Sequence, residues 1–442
     1  MSNIKESAKT ERTLHFNLFL DGFGHHLASW RHPDSKLNDT AFVRYLNAAK
    51  LAEQGKFDAV FFADSLAVDP NVVKSGKVRG HEVEPLTVLS AIAAQTSHIG
   101  LIGTATTTYN EPYHIARKFA SLDLISNGRA GWNLVTTDLA TEAQNFNIEQ
   151  HVIHKDRYER AEEFYDVVAG LWKSWDQDAI IRDKEKGIFF DLNKLHQLNH
   201  KGKYFSVAGP LNVTPSPQGS PIVVQAGSSE RGKNLAARTA NVIFTAQPNF
   251  DSARAFYQDV KNRLKQHHRN ENELAVLPGL YVIVAKTQQE AEQKQRILDD
   301  LIEEDVGLGL LGRMLGNFDL SKLDVNAALP PLEVTQTGQQ SRQELFTKLG
   351  REQGWTVKQL YQRVAAGRGH FSLIGTPEYI ADQIEYWFKH EAADGFNIMP
   401  ALIPDGVKDF VELVIPILQQ RNLFRTAYTG STLREHYGIA FH

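Results

Sequence analysis

Not one cysteine occurs among the 442 residues, which removes disulfides, thiolate metal ligands and cysteine nucleophiles from consideration together. Neither charge is in excess. The 48 Lys and Arg against 52 Asp and Glu leave a formal net charge of -4, too few cations for phosphate neutralisation to dominate, so nucleic acid is not expected as a partner. No apolar run opens the chain: Met1 to Arg12 is polar and mixed in charge, unlike a secretory leader or a spanning helix. That stretch reads as a mobile tail, with no membrane partner and a cytoplasmic location expected. Also missing are a Gly-x-Ser-x-Gly elbow, a His-Glu-x-x-His pair and a phosphate-loop lysine motif, so serine hydrolases, zinc peptidases and nucleoside triphosphatases lose their usual support.

What is present is ordinary for a soluble globular protein, with 42% hydrophobic and 23% charged residues. The length exceeds that at which one core stops growing, so one large domain with insertions competes with two domains. Apolar runs of strand length alternate with helical patterns, the signature of a parallel sheet wrapped by helices. Strands are expected at Thr13 to Leu20, Asp58 to Ala63, Ile99 to Thr107, Ala130 to Thr136, Ile222 to Ala226, Val242 to Thr245, Ala275 to Val284 and Phe396 to Ala401. Polar insertions are expected at about 176–220 and 305–372, after the fourth and seventh repeats. The reading is an α/β fold, a (β/α)₈ TIM barrel in a single domain over 1–442, with the site formed by loops after the strand ends. A doubly wound open sheet is the competing fold. It lacks its early glycine fingerprint here: the match at Gly307 to Gly312 follows an acidic helical segment, and is read as a chance hit in a flexible insertion.

Candidate site residues stand where strands end. Asp64 closes the second strand, and Thr104 and Thr106 alternate along the third. Asn133 is a polar side chain in an apolar strand, and needs a partner if buried. After the fifth strand, Gly227-Ser228-Ser229 leads into a helix; glycine allows close approach, and free N–H groups with serine hydroxyls suit a phosphate, although the same residues also make a plain N-cap. His154 and Tyr158 lie four apart at a helix start and share a face. His25, His26, Trp30 and Arg31 follow the first strand and could line the substrate side. Adjacent His25-His26 makes a poor metal pair, and no metal is expected.

These segments together resemble the bacterial-luciferase-like flavin monooxygenases, in particular the group of nitrilotriacetate, dibenzothiophene sulfone and long-chain alkane monooxygenases. The resemblance spans nearly the whole chain. It rests on Gly24-His25-His26 with Ser29 to Pro33, Phe62-Ala63-Asp64, Glu84 to Thr87, Ser126 to Thr136, His154 to Tyr158, Asn199 to Phe205, Gln225 to Ser229 and Gly375-Thr376-Pro377. Where such proteins commonly have Gly after the Ala-Asp pair, this chain has Ser65. The resemblance implies a two-component enzyme in which a separate NAD(P)H:flavin reductase supplies reduced FMN and this chain uses it with dioxygen to oxidise a small organic substrate, as a homodimer or homotetramer. By the same analogy the flavin ring lies near Asp64, Thr104, Thr106 and Asn133, and its phosphate among His154, Tyr158, Ser228 and Ser229. His26 and Arg31 are the residues expected to contact substrate or intermediate as catalytic groups, and Arg31, Arg368 and His370 would favour a carboxylated substrate. A deazaflavin-dependent oxidoreductase and a non-catalytic flavin-binding protein are the other readings.

Overall fold

Strand His15–Leu20 pairs in parallel with Ala59–Phe62 on one side and Gly395–Pro400 on the other, which joins the chain's first and last barrel strands. The computed structural model describes residues 12–68, 76–78, 80, 82–137, 140–146, 154–333 and 340–440, the side chains of 140, 154, 155 and 340–342 excepted. Parallel registers continue through Gly100–Thr106, Ala130–Val135, Ile222–Gln225, Val242–Thr245 and Ala275–Val284, and the last of these pairs with Gly395–Pro400. Eight strands therefore close into a barrel, with helices between them, as the alternating pattern requires. The two insertions fall after the fourth and seventh repeats, as expected.

Packing follows from the side-chain period of two. Phe16, Leu18 and Leu20 of the first strand belong to the layer between barrel and helices. Phe19 faces inward, where it meets Phe61 at 5.0 Å and Phe244 at 5.6 Å between ring centroids, both edge-on. The opposite end of the barrel interior is stopped by the C-terminal segment: Leu433 and Tyr437 share a cluster with Ala59 and Ile102, and the Tyr437 hydroxyl donates to Asn17 Oδ1 at 2.6 Å.

Three expectations are corrected. Residues Phe371–Gly375, partly inside the expected second insertion, form a ninth strand that pairs with Leu280–Val284, the half of the long strand beyond its pairing with Val242–Thr245. The Gly307 to Gly312 stretch is no flexible turn; it lies in helix Glu304–Met314, and a Cβ on Gly307 would fall 2.6 Å from the Tyr361 ring, so the glycine serves helix packing. Arg12, read as the end of a mobile tail, is anchored by Asp394 at 3.0 Å and the Ala393 carbonyl at 3.2 Å. Residues 1–11 lie outside the described residues. The first insertion carries two hairpins, Ile180–Asp183 with Ile188–Phe190 and His200–Lys201 with Ser206–Val207. No helix among the described residues is long and apolar enough to cross a membrane.

Candidate active site

The fifth strand ends in a turn that only small residues allow. A Cβ on Gly227 would lie 2.9 Å from Gly232 Cα, so the strand exit and the first turn of helix Glu230–Thr239 run in backbone contact. Ser229 caps that helix by accepting from Gly232 N–H at 3.1 Å, and its Oγ also stands 3.2 Å from the Tyr158 hydroxyl. The serine is thus an N-cap that also faces open space: Tyr158, Gly227, Ser228 and Ser229 all line one cavity of about 1000 Å³. Asp64 and Ser65, at the end of the second strand, line the same cavity. The phosphate-type turn and the second-strand carboxylate thus share one rim of the barrel, the rim where barrel enzymes carry their chemistry.

A smaller cavity of about 170 Å³ adjoins it and shares Asp64, Ser65, Val135, Thr137 and Glu142; Thr104 and Thr106 face this second space. Asn133 lies behind Thr104, and its amide is oriented by elimination. The Phe62 carbonyl can only accept, so Thr104 Oγ1 donates to it at 2.7 Å and accepts from Asn133 Nδ2 at 2.7 Å. Asn133 Oδ1 is left buried with no hydrogen-bond partner, which costs about 1–3 kcal/mol unless a ligand donor meets it.

Sequence reasoning missed the wall between the two cavities. Thr137 has φ 51°, a left-handed conformation that a β-branched residue adopts at a cost of about 1–3 kcal/mol. It is held there by its hydroxyl contacts with Thr106 Oγ1 at 2.7 Å and Glu142 Oε2 at 3.1 Å, and by Arg157, which donates to its carbonyl at 2.5 Å. A threonine after a strand and a glutamate five residues on make no pattern that periodicity could flag. Only the fold brings them together.

The carboxyl of Asp64 is pushed up to about 7, first by burial, then by the nearby Glu84 and Glu142 charges. The folded protein therefore holds a proton that the unfolded chain releases near pH 4. Stability from this group is fully present below about pH 4 and is lost as pH rises through about 7. Asp64→Asn is expected to flatten the decline in melting temperature between about pH 5 and about pH 8. An unchanged slope in thermal scans would show that Asp64 is not the titrating group.

The expected residues are thus gathered unequally. Asp64, Thr104, Thr106, Tyr158, Ser228 and Ser229 line the paired cavities, with Asn133 behind them. His154 begins helix His154–Trp172, but its side chain lies outside the described residues. His26 and Arg31 are placed elsewhere on the rim. The His26 ring is buried between Asp299, 3.3 Å from Nε2, and the Ala28 N–H, which donates to Nδ1 at 3.1 Å, and burial lowers its pKa. Arg31 meets Glu303 at 3.0 Å and donates to the Leu301 carbonyl at 2.5 Å. Both tie the loop after the first strand to residues 299–303. The preceding Gly24, φ 135°, passes so close to the last barrel strand that a Cβ would lie 2.1 Å from the Ala401 carbonyl oxygen. Of the groups expected to attract a carboxylate, Arg368 faces Asp21 at 3.4 Å and His370 stacks on Phe244 at 5.1 Å. No group of three or more His, Asp or Glu among the described residues is placed to hold a metal ion.

A closed parallel barrel with a hydroxyl-lined double cavity at the C-terminal ends of its strands, and with a glycine-serine turn at a helix start, places the chain in the class of TIM-barrel enzymes. The chain belongs to the luciferase-like monooxygenase family, whose model matches residues 24–394, and it is a monooxygenase. It is 49% identical over 435 residues to the N-acetyl-S-(2-succino)cysteine monooxygenase of Bacillus subtilis (strain 168), with 97% of both chains covered. It is 48% identical over 427 residues to nitrilotriacetate monooxygenase component A of Aminobacter aminovorans, with 94% of each covered. Among solved structures, a riboflavin lyase determined with modified FMN and riboflavin superimposes with a TM-score of 0.83 at 32% identity, covering 97% of each chain.

Proposed function

We propose that this chain, acting as one domain, is the oxygenase of a two-component system that takes reduced FMN from a separate NAD(P)H:flavin reductase and oxidises a small carboxylated thioether or amine. The observation that carries this reading is the convergence of the Gly227 to Ser229 turn, the Tyr158 hydroxyl and Asp64 on one cavity, with the unpaired Asn133 Oδ1 behind Thr104 of the adjoining smaller one. A phosphorylated, flat, N–H-bearing ligand answers each of these features. Support comes also from the similar riboflavin lyase, whose structure contains modified FMN, and from the two curated relatives, whose names specify carboxylated compounds.

Ser228, Ser229 and Tyr158, with His154, would hold the phosphate by hydroxyl donation and by N–H groups at the helix start. Asp64, Thr104, Thr106 and Asn133 would border the ring, with Asn133 Oδ1 accepting a ring N–H. Bound reduced FMN supplies two electrons to dioxygen, so that one oxygen atom enters the substrate and the other leaves as water. The chain's own part is to orient both reactants and exclude water. His26 and Arg31 would act by fixing the loop over the rim. A cytoplasmic homo-oligomer is the expected working form.

The test is a stopped-flow experiment in which the protein with reduced FMN meets oxygenated buffer. A transient near-ultraviolet absorbance that free flavin does not give, and one labelled oxygen atom in the product from N-acetyl-S-(2-succino)cysteine, are expected. Flavin oxidation no faster or slower than in buffer, with no labelled product, would remove the reading.

A further inference from the structure

Three carboxylates line the small cavity, and two of them are already engaged. Glu84 is exposed and caps helix Pro85–Ala93, accepting from Leu86 and Thr87 N–H at 3.0 and 2.6 Å. Glu142 is buried and meets the Thr137 hydroxyl at 3.1 Å. Asp64 is half-buried, and among the described residues its carboxyl has only the neighbouring Ser65 N–H beside it and no cation within ion-pair distance. Negative charges around one small space repel one another, so a proton settles on the member with the fewest donors, which is Asp64. Its pKa, pushed up to about 7 by burial and then by Glu84 and Glu142, agrees. The other titratable groups lining the two spaces are Lys118, exposed on helix Pro112–Ile125, and Tyr158, and neither is a partner of Asp64.

Position gives this proton a use. Asp64 lines the large cavity together with the Gly227 to Ser229 turn, and it lines the small one as well. The small cavity extends from the exposed Glu84 and Lys118 to Thr104 and Thr106, and is bordered by hydroxyls, carboxyls and the side chain of Asn110. At about 170 Å³, such a polar space has room for about five water molecules. Thr137 and Glu142 wall it from the large cavity. One carboxyl thus stands between a space for reactants and a space for water.

The oxygenase reading, on which this inference rests, leaves a proton to be found. Anionic reduced FMN, dioxygen and substrate give oxidised FMN, oxygenated substrate and water only when one further proton is added. We infer that Asp64 is the proton donor of the reaction, passing its carboxyl proton to the oxygen atom that leaves as water and regaining one from water in the small cavity. As the O–O bond breaks, one O–H bond forms at the departing oxygen. Asp64 is left as a carboxylate, and the next proton enters past Glu84.

The test has a ligand-free and a loaded arm. In the ligand-free protein, infrared difference spectra are expected to show a carboxylic-acid band that titrates near about pH 7 and is missing from Asp64→Asn. With reduced FMN, N-acetyl-S-(2-succino)cysteine and labelled dioxygen in a single turnover, Asp64→Asn is expected to form labelled product about 100-fold more slowly or worse, and Asp64→Glu to retain more of the rate. FMN affinity should stay within about threefold of the parent. The parent rate should be full below about pH 7 and fall above the pKa of the donor, while the residual rate of Asp64→Asn stays flat. Imidazolium, small enough for the side cavity, should restore that residual rate in proportion to its concentration. An infrared band that survives in Asp64→Asn, a turnover by that variant within about threefold of the parent, or a parent rate indifferent to pH from about 5 to about 9 overturns the inference. The first and third of these need no variant rate, so poor folding of a variant does not shield the idea. A parent protein that makes no labelled product overturns the oxygenase reading and this inference together; labelled product made equally by parent and Asp64→Asn overturns this inference alone.

Discussion

Exchanging Arg425 for Met is expected to destabilise the protein by about 3–5 kcal/mol, because it strands a carboxylate at the closed end of the barrel. Asp58 is completely buried where the second strand begins. It accepts from Phe16 N–H at 2.7 Å, meets the His15 ring at 3.0 Å, and is paired with Arg425, which also donates to the His436 carbonyl at 3.2 Å. One carboxylate thereby ties the first two strands to the segment that stops the barrel. Burial by itself would raise its pKa, yet Arg425 and His15 outweigh it and hold the carboxyl below the ordinary range.

The sign of the pH dependence follows. A depressed pKa means that the unfolded chain takes up the proton first, so the stability due to Asp58 is present above about pH 4 and is lost as pH falls through the folded value. Denaturant melts should show the gap between the parent protein and Asp58→Asn narrowing below about pH 4. The double variant Asp58→Asn with Arg425→Met should cost less than the sum of the single changes, since each partner alone leaves the other uncompensated. Additive costs would show that the pair does not act as one unit.

Asn133→Leu should weaken FMN binding about 10- to 100-fold while leaving folding stability equal or higher. The ligand would lose an acceptor worth about 1–3 kcal/mol, whereas the ligand-free protein is relieved of a buried oxygen that has no partner and gives up in exchange the Nδ2 donation to Thr104, whose hydroxyl keeps its bond to the Phe62 carbonyl. These opposite signs separate a binding role from a structural one. A structural asparagine would lose stability and affinity together, whereas fluorescence titration beside a thermal melt should here give weaker binding without a lower melting temperature.

Several motifs that made the family legible prove to be architectural. In Ser126 to Asn133, Arg129 is buried and donates to the Ile99 carbonyl at 2.7 Å, the Ser126 carbonyl at 2.7 Å, and the Ala93 and Thr96 carbonyls at 3.0 and 2.9 Å, which fixes the loop before the fourth strand. Glu84, ahead of Pro85, caps helix Pro85–Ala93 through Leu86 and Thr87 N–H. The turn at Lys203 to Phe205 is clamped by Glu163, which accepts from Tyr204 and Phe205 N–H at 3.0 and 2.9 Å. Such motifs announce the fold strongly and the chemistry only through it.

The linear chain by itself determined the eight barrel strands, the places of the two insertions, and the strand-end residues Asp64, Thr104, Thr106, Ser228 and Ser229. Alternation and turn chemistry are local properties, so they survive in one dimension. Tertiary structure alone decided that Phe371–Gly375 is a strand, because its partner Leu280–Val284 lies some ninety residues away. It decided likewise that Thr137 meets Glu142 and Arg157, and that Arg31 is neutralised by Glu303. Whether a charge is paired depends on what the fold carries to within about 4 Å of it, and the spacing of residues along a chain holds no record of that distance.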